Sequence, residues 1–191
     1  SAGHIPSLTI KEVEQAVVTG GDENETNHLL TLAGILDSFP DNQFIISIID
    51  PAPGSVDCIS SIITGKGASG RVLICSRNGS TLERIRRSLP ECATGFSLGA
   101  IIGLYTLFRT GFLVFKKNFH GDAFVIPENI GTSYVANRNL VRTMKGKGIH
   151  VFVRTADTEK AIKRVFQSGA DGVITANVPL ALEIEKNTVV S

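Results

Sequence analysis

The sequence predicts an α/β fold in which strands and helices alternate to form part of a parallel βα barrel. Six apolar, β-branched runs begin at residues 43, 71, 94, 123, 150 and 172, and each is bounded by turn residues. Their spacing matches repeated βα units of roughly 30 residues. The runs are nearly continuous in apolar residues, which is typical of parallel strands that are covered on both faces.

The predicted strands number two fewer than a closed barrel of TIM type requires, since such a barrel has eight strands and roughly 250 residues. We therefore expect a single domain, 1–191, that is an incomplete TIM-type barrel. An open sheet leaves two unpaired apolar edges, and we expect a homo-oligomer or a missing N-terminal segment to cover them. The predicted strands are Gln43–Asp50, Arg71–Arg77, Thr94–Gly99, Ala123–Ile130, His150–Asp157 and Gly172–Asn177.

Helices are predicted before the first strand and between later ones. Capping residues support two of them, because Ser80 suits a helix start and Gly169 suits a left-handed C-cap. A polar insert, Gly20–Thr26, separates the first two helices. The predicted helices are Thr9–Val17, His28–Asp37, Ser80–Leu89, Ile101–Arg109, Asn137–Lys145 and Thr158–Ser168.

Composition excludes several classes of protein. The chain has 19 Lys and Arg against 18 Asp and Glu. Its net charge is therefore too small to attract nucleic acid or anionic lipid over the whole surface. Three cysteines without a Cys-x-x-Cys pair argue against disulfides and structural zinc. The first residues lack the regions of a secretory signal, which indicates a cytoplasmic location. The apolar stretch from Ala93 to Phe115 raises the question of a membrane span, which needs roughly 20 predominantly apolar residues. Gly95, Ser97 and Gly99 indicate instead a short strand and a loop before a helix, so we expect core packing there, with a transmembrane helix or a lipid-facing lip over an active site as the alternatives.

The closing βαβ unit is the most informative part of the chain. It comprises a buried strand, a helix, a Gly-Ala-Asp-Gly turn and a second strand, from Gly148 to Pro179. In parallel barrels the chemistry lies where strands end. The candidate residues at these ends are Arg154, Thr155, Asp157, Thr175 and Asn177.

Ordered motifs across almost the whole chain resemble the glycerophosphodiester phosphodiesterase family. They include Ile5-Pro-Ser-Leu8, the strand Ile46–Ile49 followed by Asp50-Pro, Val153-Arg-Thr-Ala-Asp157 and Gly169-Ala-Asp-Gly-Val-Ile-Thr175. The resemblance implies an eight-stranded barrel that hydrolyses glycerophosphodiesters to glycerol 3-phosphate and an alcohol. It also implies a divalent cation, Mg or Ca, held by carboxylates, together with two catalytic histidines.

The sequence departs from the family pattern at the residues that carry this chemistry. The His-Arg-Gly, Glu-x-Asp and His-Asp motifs are not found, and Ser47 and Ile49 replace a metal carboxylate and a phosphate-binding lysine. Arg77 and Arg154 replace aromatic residues, and Ala176 replaces an aspartate. Two inward-facing arginines would form an anion site; the alternative is that both are solvated.

Asp50 and Glu128 are the remaining acids at strand ends, and one carboxylate per loop does not predict a metal site within this chain. We expect a small phosphodiester or phosphate ligand at Arg77, Arg154, Ser47, Asp50 and Glu128, with no cofactor in this chain, no nucleic acid and no membrane span. The catalytic residues are unknown. Three hypotheses follow: a phosphodiesterase that is inactive as this isolated chain, a non-catalytic relative acting as a binding module, and an unrelated βα protein that binds a phosphorylated ligand.

Overall fold

The computed structural model of the protein describes residues 17–18, 27–28, 30–49, 51–130, 133–154 and 156–189. The strands are β1 (Val17–Val18), β2 (Asn27–His28), β3 (Phe44–Ile48), β4 (Val72–Ser76), β5 (Ala93–Thr94), β6 (Ala123–Pro127), β7 (Asn129–Ile130), β8 (Ser133–Tyr134), β9 (His150–Arg154) and β10 (Gly172–Ile174). The α-helices are α1 (Leu32–Ser38), α2 (Ser55–Gly65), α3 (Gly79–Ser88), α4 (Leu98–Arg109), α5 (Arg138–Lys145), α6 (Glu159–Ser168) and α7 (Val178–Val189). Short 3-10 turns cover Ser69–Arg71 and Phe112–Phe115.

Six of the strands form one open parallel arc. Strands β3, β4 and β5 pair in that order, and β6, β9 and β10 form a second parallel set. A parallel bridge between Gly95 and Ala123 joins the two sets. Within the described residues the arc does not close, because β3 pairs only with β4 and β10 only with β9. The predicted partial barrel with six strands is confirmed.

The two faces of the arc are buried to different extents. In β4, Val72, Ile74 and Ser76 are buried, whereas Leu73 and Cys75 between them are partly exposed. Strand β3 alternates in the same way, with Ile45 and Ser47 exposed on the inner face. The expectation that both faces are covered is therefore wrong for the inner face, because the open side of the arc admits solvent.

The hydrophobic core lies between the outer face of the arc and the helices. Its larger part packs β6 and β9 against α4 to α7, and its smaller part packs β3 and β4 against α1 to α3. Apolar residues at helical spacing on α5 and α6 bury one stripe of each helix. The fully buried residues of the larger part include Phe124, Ile126, Leu140, Met144, Val151, Val153 and Ile162.

The predicted C-cap at Gly169 is confirmed, whereas the predicted helix start at Ser80 is wrong, because Asn78 Oδ1 accepts a hydrogen bond from the Ser80 amide at 2.9 Å and caps α3. Asn137 Oδ1 accepts a hydrogen bond from the Leu140 amide at 3.0 Å, and Gly169 has a φ of 80° at the end of α6. His28 lies in β2 instead of a helix, and α1 begins only after Thr31, whose hydroxyl caps it. Residues 9–16 of the first predicted helix and the insert from residue 20 to residue 26 lie outside the described residues.

The predicted strand Thr94–Gly99 is wrong beyond its first residues. The strand ends at Thr94, and the Ser97 hydroxyl accepts from the Ala100 amide to begin α4. Serine favours such an N-cap over the interior of a strand. Helices α2 and α7 were not among the predicted helices.

The apolar stretch from Ala93 to Phe115 packs only partly into the core. Ile101 and Leu104 of α4 and Leu113 of the 3-10 turn are buried, which agrees with the expectation. Other apolar side chains of the stretch are exposed: Leu98, Ile102, Phe112, Val114 and Phe115. None of the described helices is long and apolar enough to cross a membrane.

Two aspartates, each directly before a strand, link neighbouring strands at the amino end of the arc. Asp171 Oδ2 accepts a hydrogen bond from the Val151 amide at 2.8 Å, and Asp122 Oδ2 accepts one from the Thr94 amide at 2.8 Å. In both cases the carboxylate precedes one strand and binds the backbone of its neighbour. The Gly-Asp-Ala and Ala-Asp-Gly segments thus fix strand register.

Candidate functional site

A cavity of about 840 Å³ lies along the open side of the arc. We call it the edge cavity. Its wall combines inner-face residues of β3, β6 and β9 with residues of β10 and one side of α7. The polar and charged side chains that line it are Ser47, Arg154, Asp157, Asp171, Thr175 and Glu185.

Arg154 is the last residue of β9 and lies in the edge cavity. It is exposed, and it forms no ion pair with any other residue in the described part of the chain. Its charge reaches Cys75 on the inner face of β4. Burial raises the pKa of the Cys75 thiol to about 11, and the Arg154 guanidinium lowers it in part. Arg154 therefore projects over the inner face of the arc.

Arg77 directly follows β4 and continues the inner-face alternation of Leu73 and Cys75. It is exposed, and it does not line the edge cavity. Its carbonyl accepts a hydrogen bond from the Leu98 amide at 3.1 Å, which fixes the backbone after the strand. The structure thus places both predicted arginines at carboxyl ends of strands. Their convergence on one anion stays a prediction.

Ser47 lines the edge cavity from the exposed inner face of β3, in register with Cys75. Glu128 lies elsewhere: its Oε1 is 3.3 Å from Arg164 Nη1 of α6, and its side chain is 13% exposed. The Arg164 guanidinium also lies 4.7 Å from the centroid of the Tyr134 ring. Glu128 therefore faces the helices and does not line the cavity. Asp50 and Thr155 lie outside the described residues.

The remaining predicted residues organise the loop between β10 and α7. Asp157 Oδ1 accepts hydrogen bonds from the Ala176 amide at 2.8 Å and from the Thr175 hydroxyl at 2.9 Å. These two bonds lower the pKa of Asp157, the backbone bond more strongly. Asn177 caps α7 by accepting from the Leu180 amide at 3.3 Å. Asp157, Thr175 and Asn177 are thus brought together, and Asp157 and Thr175 line the edge cavity.

The charges of the edge cavity are mixed. Arg154 faces a wall that also carries Asp157, Asp171 and Glu185. Asp171 is neutralised locally, because Lys145 Nζ lies 2.9 Å from its Oδ1, and Asp157 is held by the two donors of the β10–α7 loop. Among the described residues, an anion at Arg154 therefore meets a guanidinium without an ion pair, beside Asp157 and Asp171, whose charges are partly compensated, and beside Glu185.

The described residues do not fit the divalent cation that the resemblance implies. A hard cation requires several oxygen ligands, mainly carboxylates. At the carboxyl ends of the described strands, however, Glu128 pairs with Arg164, Asp157 is hydrogen-bonded, and β3 offers Ser47. Among residues that the structure describes, no group of three His, Cys, Asp or Glu side chains could hold a metal ion.

Residues 48–180 match the model of the Glycerophosphoryl diester phosphodiesterase family. The chain belongs to this family. The hypothesis of an unrelated βα protein is therefore wrong. The family that the ordered motifs predict is confirmed, and the match includes the carboxyl ends of β4, β6, β9 and β10.

Similarity to individual members extends over most of the chain. A glycerophosphodiester phosphodiesterase from Caldanaerobacter subterraneus subsp. tengcongensis is 23% identical over 91% of this chain and 69% of its own. The glycerophosphoryl diester phosphodiesterase domain of a Mycobacterium tuberculosis protein has a TM-score of 0.78, with 15% identity over 97% of this chain and 78% of that one. An Oleispira antarctica phosphodiesterase, solved with the product sn-glycerol-3-phosphate, has a TM-score of 0.62 and 15% identity; the alignment covers 81% of this chain and 60% of that one.

Sequence reasoning missed the contribution of α7 to the site. Val178, Ala181 and Leu182 line the edge cavity beside Glu185. Their spacing along the chain is that of one helix face, and this periodicity after Pro179 is the signal that could have identified the helix.

Proposed function

We propose that this chain binds the phosphate group of a glycerophosphodiester, or of its product glycerol 3-phosphate, at the carboxyl ends of its strands. In this proposal Arg154 makes the main contact, and the isolated chain does not hydrolyse the diester. The observation that carries the proposal is the exposed Arg154 guanidinium in a cavity of about 840 Å³, without an ion-pair partner among the described residues.

The chemistry of the guanidinium supports this ligand class. Its planar set of donors matches two phosphate oxygens at once, which a lysine ammonium cannot do. Arg77 directly follows β4, at the same end of the strands as Arg154. We propose it as the second cation that contacts the phosphate. The solved Oleispira enzyme, which contains sn-glycerol-3-phosphate, supports the choice of ligand.

The side chains that line the edge cavity support binding of the phosphate without its hydrolysis. Phosphodiester hydrolysis needs a group that stabilises the developing charge and a group that transfers a proton. Arg154 can stabilise charge. The low pKa of Asp157 keeps this carboxylate ionised and hydrogen-bonded in the loop, and Ser47 is a poor base at neutral pH. We therefore propose that the chain is a binding module. It contributes to hydrolysis only where further catalytic groups face the edge cavity.

Calorimetry with glycerol 3-phosphate tests this proposal directly. We expect measurable binding by the chain and a loss of about tenfold or more in Arg154→Ala, because hydrogen bonds to charged groups contribute about 1.5 to 3 kcal/mol. Arg87→Ala is the matched control, since among the described residues this arginine pairs with Glu83 alone, on the exposed side of α3. Equal affinity of Arg154→Ala and the unaltered chain would contradict the assignment.

Turnover is measured separately. We expect the isolated chain to release no glycerol 3-phosphate from glycerophosphocholine in the presence of magnesium or calcium. Release above the blank that a chelator abolishes would show that the chain holds a functional metal site, and would contradict the binding-only proposal while leaving the family assignment intact.

A further inference from the structure

The 3-10 turn after α4 presents three large apolar side chains to solvent. Phe112, Val114 and Phe115 are 62%, 70% and 78% exposed. The two phenylalanine rings lie 6.4 Å apart between centroids, so the exposed surface is continuous. We call these three side chains the apolar tip. Contiguous exposed apolar surface of this kind is typical of an interaction site.

The backbone holds the apolar tip in this exposed position. Gly111 has a φ of 80°, which reverses the chain after α4. Leu113, between the exposed residues, is 1% exposed and packs into the core. Lys147 Nζ donates to the carbonyls of Val114 at 3.4 Å and Lys116 at 2.9 Å. The exposure of the apolar tip is therefore fixed by a turn that these hydrogen bonds hold in place.

Only basic charges accompany the apolar tip along the chain. No aspartate or glutamate occurs between Glu91 and Asp122, whereas Arg109, Lys116 and Lys117 all lie in this interval. Arg109 and Lys117 are exposed, and Lys116 is partly exposed. A surface that combines aromatic side chains with flanking cations complements the apolar interior and the negative headgroups of an anionic lipid surface.

We propose that the apolar tip docks onto the surface of a membrane that contains anionic phospholipids. Phe112, Val114 and Phe115 insert at the boundary between headgroups and acyl chains, and Arg109, Lys116 and Lys117 contact the lipid phosphates. Insertion of this type buries side chains in the plane of the interface and requires no spanning helix.

Charge favours a lipid surface over a second copy of the chain. A symmetric dimer through the apolar tip would place the same surface of both copies in contact. It would therefore bring two sets of Arg109, Lys116 and Lys117 together, with repulsion that a partly desolvated contact strengthens. An anionic membrane instead converts each of these charges into an attraction.

Docking leaves the candidate phosphate site free. The apolar tip precedes β6, and Lys147, which binds its backbone, precedes β9. Both therefore lie at the amino ends of the parallel strands, whereas Arg154 lies at the carboxyl end of β9. Membrane binding should consequently be independent of Arg154, and Arg154→Ala separates this proposal from the proposed function.

Cosedimentation with vesicles tests the proposal. We expect the chain to bind vesicles of phosphatidylcholine mixed with phosphatidylserine, to bind phosphatidylcholine alone far more weakly, and to dissociate as salt rises. Phe115→Ser should weaken binding by at least about tenfold. Replacing both Lys116 and Lys117 with Gln should weaken it by about 25-fold, from about fivefold for each lysine.

Matched controls keep the outcome decisive. Phe39→Ser removes a phenylalanine that is 49% exposed beside α1, and Arg87→Gln removes an exposed cation on α3; both should bind vesicles like the unaltered chain. Circular dichroism confirms that each variant is folded. The proposal is overturned if no vesicle binding occurs, if Phe115→Ser binds like Phe39→Ser, if both vesicle types bind equally, or if ultracentrifugation shows a dimer that Phe115→Ser abolishes.

Discussion

Replacing Asp171 tests how the arc is held together at its amino end. Its carboxylate accepts the Val151 amide at 2.8 Å and pairs with Lys145 Nζ at 2.9 Å, and His150 Nδ1 lies 3.9 Å away. Asp171→Ala removes both interactions. Asp171→Asn keeps an amide oxygen that can still accept from Val151, and removes only the charge.

The two variants should differ in free energy of unfolding. Because Val151 is buried, an unsatisfied amide there costs about 1 to 3 kcal/mol. The Lys145 pair is partly solvated, with side chains 43% and 22% exposed, so its loss costs about 0 to 1 kcal/mol. We therefore expect a loss of about 0 to 1 kcal/mol for Asp171→Asn and of about 1 to 4 kcal/mol for Asp171→Ala.

The pH dependence separates the charge from the hydrogen bond. Burial tends to raise the pKa of Asp171, but the hydrogen bonds from Lys145 and the Val151 amide outweigh it, so the folded pKa is lowered. The charge therefore stabilises the fold above the unfolded pKa of about 3.9, and this contribution is lost as the pH falls through the folded value. A protonated carboxyl still accepts from Val151.

Urea unfolding at pH 7 and at pH 2 to 3 measures these differences. The gap between the unaltered chain and Asp171→Asn should narrow as the pH falls toward and through the lowered folded pKa, whereas the gap between Asp171→Asn and Asp171→Ala should persist. Asp57→Ala is the control, because its pair with Arg84 is long and exposed. Equal stability of the alanine and asparagine variants at pH 7 would refute the role of the Val151 hydrogen bond.

Two further predictions concern packing and the role of Glu128. A methyl group at Gly95 would lie 2.8 Å from Cys75 Sγ, so Gly95→Ala should lower the free energy of unfolding by about 1 to 3 kcal/mol. Adding Cys75→Ala should restore most of this loss, because it removes the sulfur that the methyl group meets. Thermal unfolding measures both variants, and additive losses would contradict this contact. Glu128→Gln removes the charge that pairs with Arg164 and should lower the free energy of unfolding. The affinity for glycerol 3-phosphate, measured by calorimetry, should not change; weaker binding would show that Glu128 contributes to the ligand site.

The candidate site shows which contacts the sequence could predict. Arg154, Asp157 and Thr175 follow apolar runs, and parallel strands bring such positions to the same end of a sheet. Glu128 also follows a strand, yet it turns to Arg164, which is 36 residues away in the chain. Side-chain direction at a strand end depends on the partner that packing supplies, and no local pattern encodes that partner.

The sequence by itself determined the order of the βα units, the helix C-cap at Gly169, and the family, because these depend on periodicity and on residues close together in the chain. Only the tertiary structure decided the exposed inner face, the edge cavity and the exposure of Phe115. Burial depends on which distant surfaces meet, and apolar character alone does not determine whether a side chain finds such a surface.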